Sequence, residues 1–259
     1  MKFIRILATF IFFLFALFLL YYLFHIFKFF RYKNLAVKHR IVRSILRVIL
    51  IICGIKLLID GQERLKSGQL YIYAANHSSF FDHPVVFSSI KGYFNLTPVK
   101  MVFDFPIIGF IVKELKYIPV ERTLDKKKTE NMFEMIVRSV SNKSLLIYPE
   151  GKFSRDGKLL AFRRGTAEIA QRSGIPVVPI ILKETFSILP IPPFKPVRKG
   201  LAFYRYALFW LGHSILGLKP KPVKVIIKEP LTYNSGETVE GFTERLRSQF
   251  TDLIEDGSK

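Results

Sequence analysis

The stretch ANHSSFFDHP, residues 75–84, sets Asn76, His77, Asp82 and His83 close together. Two histidines and a carboxylate at this spacing can hold a metal, form a base with its orienting acid, or simply make a loop polar. His77 and Asp82 are five residues apart. On one helix they would stand about 140° apart and would not meet. Across a strand end, a turn and a helix start they can. An imidazole whose Nδ1–H is held by a carboxylate presents Nε2 as a base. Such a pair takes the proton of a hydroxyl as that hydroxyl attacks a carbonyl, and no serine nucleophile is needed when the hydroxyl is the substrate's own. Asn76 can order the loop. The metal reading needs more ligands than the stretch supplies. Of the five histidines, His25 and His39 lie in the N-terminal region, which leaves only His213 downstream.

Three further stretches belong to the same chemistry: KYIPVER (Lys116 to Arg122), YPEGKFSRDGKLLAFRRG (Tyr148 to Gly165) and IPVVPI (Ile175 to Ile180). Arg122 follows a strand-like run, and Tyr-Pro-Glu-Gly ends another, which brings Glu150 and Gly151 to a strand terminus. Open α/β sheets bind ligands at the carboxyl ends of their strands. The basic set Lys100, Arg122, Lys152, Arg155, Arg163 and Arg164 could hold a phosphate there. Each member alone would be an ordinary solvated charge.

The elements that must position these groups follow from the apolar pattern. Leu70 to Ala75, Leu145 to Tyr148, Ile175 to Leu182 and Val223 to Ile227 are short apolar runs that predict buried strands. Asp82 is an expected N-cap, with Pro84 in the first turn of a helix that continues VVFSSI. Glu130 to Val140 and Thr166 to Arg172 predict helices. Val239, Phe242, Leu246, Phe250 and Leu253 recur at helical spacing and predict an amphipathic C-terminal helix. Strands alternating with helices predict an α/β fold with a largely parallel sheet and flanking helices.

The N-terminus is of another kind. Ile6 to Phe24 carries no charge, and as a helix would reach about 28 Å, close to one hydrocarbon core. Its C-terminal flank, Lys28, Arg31 and Lys33, is the more basic, which predicts that the rest of the chain lies on the cytoplasmic side. A second apolar run, Ile45 to Ile59, is shorter and holds Arg47 and Lys56. Arg40, Arg43 and Arg47 share one helical stripe, which suits a membrane interface. The two runs make either a helical hairpin in one leaflet or one span with a surface helix; the second run could also be a helix of the domain core. The expected organisation is a two-helix membrane anchor over residues 1–60 and a globular domain over residues 61–259. The proline-studded, basic and aromatic segment from Pro190 to Pro222 is either a membrane-contacting insertion or an irregular loop.

Composition narrows the partners. Forty Lys and Arg oppose 20 Asp and Glu, a formal charge of +20, while half the residues are hydrophobic and the mean hydropathy is +0.26. The charge calls for a polyanion, and the hydrophobicity favours an anionic membrane surface over nucleic acid, for which there is no zinc-finger or RNP-like spacing. The single cysteine, Cys53, excludes an internal disulfide.

Taken together, these stretches resemble the glycerolipid acyltransferase family, in particular bacterial-type 1-acylglycerol-3-phosphate acyltransferases. The resemblance runs from about Leu70 to Pro230. Asn76, His77 and Asp82 match the family's Asn-His-x4-Asp. Lys100 with Phe105, Pro106 and Gly109 matches its lysine before an apolar stretch. Tyr117 to Arg122 resembles the apolar run ending in arginine, with Val120-Glu121 in place of Ile-Asp. Tyr148 to Ser154 resembles Phe-Pro-Glu-Gly-Thr-Arg-Ser, with Lys152-Phe153 in place of Thr-Arg. Val177, Val178 and Pro179 fit the last motif.

The resemblance implies that His77, oriented by Asp82, activates the free hydroxyl of 1-acyl-glycerol-3-phosphate. That oxygen would attack the thioester of acyl-CoA or acyl-carrier protein to give phosphatidic acid for phospholipid biosynthesis. It assigns Glu150, Gly151 and Arg122 to the acceptor, with Lys100 as a phosphate partner, and Lys152 or Arg155 standing in for the missing arginine. It implies no cofactor and no metal, and a membrane location with anionic lipids as partners. Alternatives are another lyso-lipid acceptor, a non-catalytic lipid-binding protein at the membrane surface, and a hydrolase, for which no Gly-x-Ser-x-Gly is present.

Overall fold

The computed structural model describes residues 10–11, 13–23, 33–121, 123, 125–189 and 218–254. A helix over residues 13–23 (α1) precedes α2 (Leu35–Ile52), β1 (Leu57–Asp60), β2 (Ile72–Ala75), α3 (Asp82–Ser89) and β3 (Phe94–Leu96). Then come α4 (Pro106–Glu114), α5 (Lys126–Val140), β4 (Ser144–Ile147), α6 (Gly165–Ser173), β5 (Val177–Lys183), α7 (Thr185–Ile188), β6 (Val223–Ile227) and α8 (Val239–Ile254). The strands form one sheet in the order β1-β6-β5-β2-β4-β3. The four from β5 to β3 are parallel, while β6 runs antiparallel to β5 and parallel to β1. The expected largely parallel α/β sheet is present.

Side-chain alternation divides the core into two layers, as a buried strand requires. Tyr73, Ala75, Leu146, Val178, Ile180 and Leu182 face α2, α3 and α4. Ile72, Ala74, Leu145, Val177 and Ile181 face α5, α6 and α8. Phe242, Leu246 and Phe250 of α8 are almost fully buried, so its expected apolar face closes the second layer. A phenylalanine buried this completely contributes about 1.5–3 kcal/mol by area alone.

The second apolar run does not form one helix to Ile59. α2 ends at Ile52, the chain turns through Cys53 and Gly54 (φ +71°), and Leu57–Asp60 becomes an edge strand paired with β6. The sheet therefore begins inside the segment assigned to the anchor. The arginine stripe is also divided. Arg47 donates through Nε and Nη2 to the Ser88 carbonyl at 3.1 and 2.7 Å, and Arg43 donates to the Gly92 carbonyl. Ser88 is in the last turn of α3, where carbonyls lack helical partners and a cation is favoured, and Gly92 is in the turn that follows. Arg40 and Arg47 remain exposed, while Arg43 is half-buried.

α1 packs Ala16 and Leu20 into the core and sets Tyr21 against Phe110, with ring centroids 5.4 Å apart and tilted at 58°. Its other face is also apolar: Ile11, Leu14, Phe15, Phe18, Leu19 and Tyr22 are each at least 38% exposed, at helical spacing. Among the described residues no helix is long and apolar enough to cross a membrane. The expected span includes residues 6–9, 12 and 24, which lie outside the described set, as do residues 190–217 of the proline-studded segment.

Candidate active site

β2 and β4 are neighbours and parallel, so both end at the same edge of the sheet. β2 releases Asn76 and His77 there, and β4 releases Tyr148 to Ser154 beside them. Asn76 fixes the exit. Its Nδ2 donates to the Leu182 carbonyl at 3.0 Å, and its Oδ1 accepts from the Leu182 amide at 2.8 Å, so the side chain extends the β2–β5 ladder by one rung. The loop-ordering role expected of Asn76 has this geometry.

His77 and Asp82 meet. His77 Nδ1 lies 2.8 Å from Asp82 Oδ2, and the Ser78 and Ser79 amides donate to the same oxygen at 2.7 and 2.8 Å. Asp82 is wholly buried. It does not cap α3 as expected. It occupies the first turn, behind Phe81, and turns its carboxylate back onto the loop that carries His77. A carboxylate accepts only, so Nδ1 carries the hydrogen and Nε2 the lone pair. Among the described residues none bonds Nε2.

The segment from Tyr148 to Ser154 cradles the histidine at four points. Tyr148 lies 3.7 Å from the imidazole by ring centroids at 14°, and Phe153 lies 3.7 Å away at 32°. Glu150 Oε1 accepts the His77 amide at 2.7 Å, and the Ser154 amide donates to the His77 carbonyl at 2.7 Å. Gly151 makes the turn possible: its φ is +64°, and a Cβ there would stand 2.7 Å from Cδ and Nε of Arg163.

Glu150 is turned inward. Its second oxygen accepts the Leu160 amide at 2.9 Å, and the residue is 2% exposed. Burial pushes its carboxyl up to about 7, against the pull of these two backbone donors. The sequence pattern located it at the right edge, but both of its oxygens join two loops behind His77.

The expected basic ligands are scattered. Lys100 is exposed and pairs with Glu121 at 3.2 Å. Lys152 and Arg155 are exposed; Arg163 is exposed beside Gly151, and Arg164 pairs with Glu168 and Glu240 at 3.3 Å each. Arg122 lies outside the described residues. The run before it does continue the sheet edge, since Val120 bridges Val99 in parallel. His83 packs edge-on to His77 at 5.2 Å, and burial, then the neighbouring His77, pushes it down to about 3. Among the described residues, no three His, Cys, Asp or Glu side chains are grouped as metal ligands would be. The aromatic walls, Tyr148 and Phe153, were missed in the sequence; their placement on either side of Glu150-Gly151 was the available signal.

Residues 56–183, which hold β1 through β5 and every element around His77, match the family model described as Acyltransferase. That stretch is an acyltransferase-family domain. Relatives include the chloroplastic 1-acyl-sn-glycerol-3-phosphate acyltransferase of Arabidopsis thaliana, 31% identical over 52% of this chain and 38% of its own length. The 1-acyl-sn-glycerol-3-phosphate acyltransferase of Limnanthes douglasii is 31% identical over 56% of this chain and 54% of its own. The chain thus spans about half or less of the length of these curated relatives. The crystal structure of the 1-acyl-sn-glycerophosphate acyltransferase of Thermotoga maritima has the same fold, with a TM-score of 0.76 over 99% of this chain and 98% of that one, at 17% identity.

Proposed function

We propose that this acyltransferase moves a fatty acyl chain from a thioester donor, acyl-CoA or acyl-carrier protein, to the free hydroxyl of 1-acyl-glycerol-3-phosphate, giving phosphatidic acid. The observation that carries the reading is the buried Asp82 on His77 Nδ1, with Nε2 left without a partner among the described residues. The acceptor hydroxyl gives its proton to Nε2 as its oxygen bonds to the thioester carbonyl carbon. The imidazolium that forms is offset by Asp82. The carbon–sulfur bond then breaks, and the thiolate takes the proton back from His77. No cofactor or metal enters this scheme.

The acceptor is a lipid, and the exposed apolar stripe of α1 supports a seat at a membrane surface. Exposed Val48, Ile51 and Ile52 at the end of α2 extend that support. The catalytic domain would then face the cytoplasm, where the excess of Lys and Arg favours anionic lipid and an acidic donor.

Labelled acyl-CoA supplied with lysophosphatidic acid in liposomes tests the reading. Label in phosphatidic acid with the wild type and none with His77→Ala is the expected result; equal label with both would reject His77 as the base. A second reading, a different lyso-lipid acceptor, is favoured by Phe153. That position packs an aromatic ring on His77 where a phosphate-binding cation would otherwise stand. Transfer to a lyso-aminolipid but not to lysophosphatidic acid would select it.

A further inference from the structure

The imidazole of His77 is enclosed by carbon. Two rings at 3.7 Å with tilts of only 14° and 32° cannot share one face, so Tyr148 and Phe153 sandwich it. Its side chain is only 8% exposed. Phe80, 47% exposed, meets Phe153 edge-on at 5.7 Å, so the apolar surface continues outward from the base. Phe153 is not free to drift, because Glu150 and Ser154, on either side of it in sequence, are both hydrogen-bonded to the His77 backbone.

A base beside a thioester has a rival substrate. Water can replace the lipid hydroxyl: its oxygen bonds to the carbonyl carbon, its proton goes to His77 Nε2, and the thiolate leaves with that proton, giving free fatty acid and thiol. We propose that Phe153 is a positioning residue that walls one face of the His77 imidazole against water, so that the base serves the lipid hydroxyl and not hydrolysis. Phe80 then offers the acceptor an apolar approach that water gains nothing by following. This inference rests on the transferase reading above, and it accounts for an aromatic side chain turned inward between exposed Lys152 and Arg155.

The experiment measures two products from labelled acyl-CoA, free fatty acid and acylated lipid, with and without lysophosphatidic acid. Wild type, Phe153→Ala, Phe153→Tyr and the double variant His77→Ala/Phe153→Ala are compared. Phe153→Ala should raise the ratio of hydrolysis to transfer at least tenfold. Phe153→Tyr, which keeps the ring, should restore the wild-type ratio, and the double variant should lose the new hydrolysis. A residue that only supports the fold would lower both products together; an unchanged ratio in Phe153→Ala therefore overturns the proposal. So does hydrolysis that survives loss of His77. If instead the wild type forms no acylated lipid from any lyso-lipid, the transferase reading fails first and takes this inference with it.

Discussion

His77 and His39, both buried, pack against aromatic rings and serve differently. His77 lies between Tyr148 and Phe153, with a carboxylate on Nδ1. His39, in α2, stacks on Phe87 at 4.7 Å and meets Phe94 and Tyr93 edge-on at 4.6 and 5.3 Å. Its Nδ1 neighbour is Arg43, at 3.5 Å, and its Nε2 is buried without a partner. Burial, then the Arg43 charge, pushes His39 down to about 3, so it stays neutral. Aromatic packing is common to both. What separates a base from a core histidine is the sign of the group on Nδ1 and whether a substrate can reach Nε2.

The comparison breaks most visibly at His77 itself. His77→Ala should lower turnover by about 10³-fold or more, within the range that positioned general bases supply. Asp82→Asn comes next, at about 10²–10³-fold. The amide can still meet Nδ1, but it carries no charge to offset the imidazolium and can favour the wrong tautomer. Rates for Asp82→Asn within a factor of three of wild type would mean that the carboxylate does not distinguish the two histidines.

Most of the sheet was legible because β2, β4 and β5 are short apolar runs bounded by polar or proline residues. β1 was not, since Leu57–Asp60 continues an apolar run interrupted only by Cys53-Gly54 and Lys56, and apolar character alone does not tell helix from strand. β3 and α7 are three and four residues long, too short to show a period. The His77–Asp82 pair was readable from spacing plus a strand-turn-helix pattern. Glu150 shows where such reading stops. Its position at a strand end follows from Tyr-Pro-Glu-Gly, but nothing in one dimension says whether a carboxylate faces a ligand or two amides behind the base. The arginine stripe shows the same limit: helical spacing put three cations on one face, and two of them also donate to the Ser88 and Gly92 carbonyls.

Stability against pH sharpens the comparison, because Glu150 and His39 act in opposite senses. Glu150 has its folded value raised from 4.5 to about 7, so the native state holds the proton more tightly. That stabilisation is full below about 4.5 and is lost as pH rises through 7, about 3 kcal/mol in all. His39 has its folded value lowered from 6.5 to about 3. Its stabilisation is full above about 6.5 and is lost as pH falls toward 3, on the order of 4–5 kcal/mol. Between pH 4.5 and 6.5 the two slopes oppose each other in the wild type. Glu150→Gln leaves the His39 slope alone, so denaturant midpoints should fall more steeply on acidification than in wild type. It also costs about 1–3 kcal/mol at all pH values, since a glutamine amide cannot accept from both His77 N and Leu160 N. Parallel pH profiles for the two proteins would show that Glu150 does not titrate in this range.

His39→Phe carries the smallest expected effect at neutral pH and tests the comparison from its other side. The ring keeps its contacts with Phe87, Tyr93 and Phe94, the orphaned Nε2 disappears, and only a long contact to Arg43 is lost. Removing a buried unsatisfied nitrogen recovers about 1 kcal/mol or more, and the slightly larger ring returns part of it as strain, so the net change should stay within about 1 kcal/mol. Below pH 6 the variant should lose less stability than the wild type, since of the two histidines held down to about 3 only His83 remains. Turnover should equal that of wild type, because a histidine facing a guanidinium has no proton to trade. A loss of turnover approaching that of His77→Ala, in a variant with an unchanged melting temperature, would mean that the two histidines are coupled through α2 and α3, and that the carboxylate at Nδ1 is not what sets them apart.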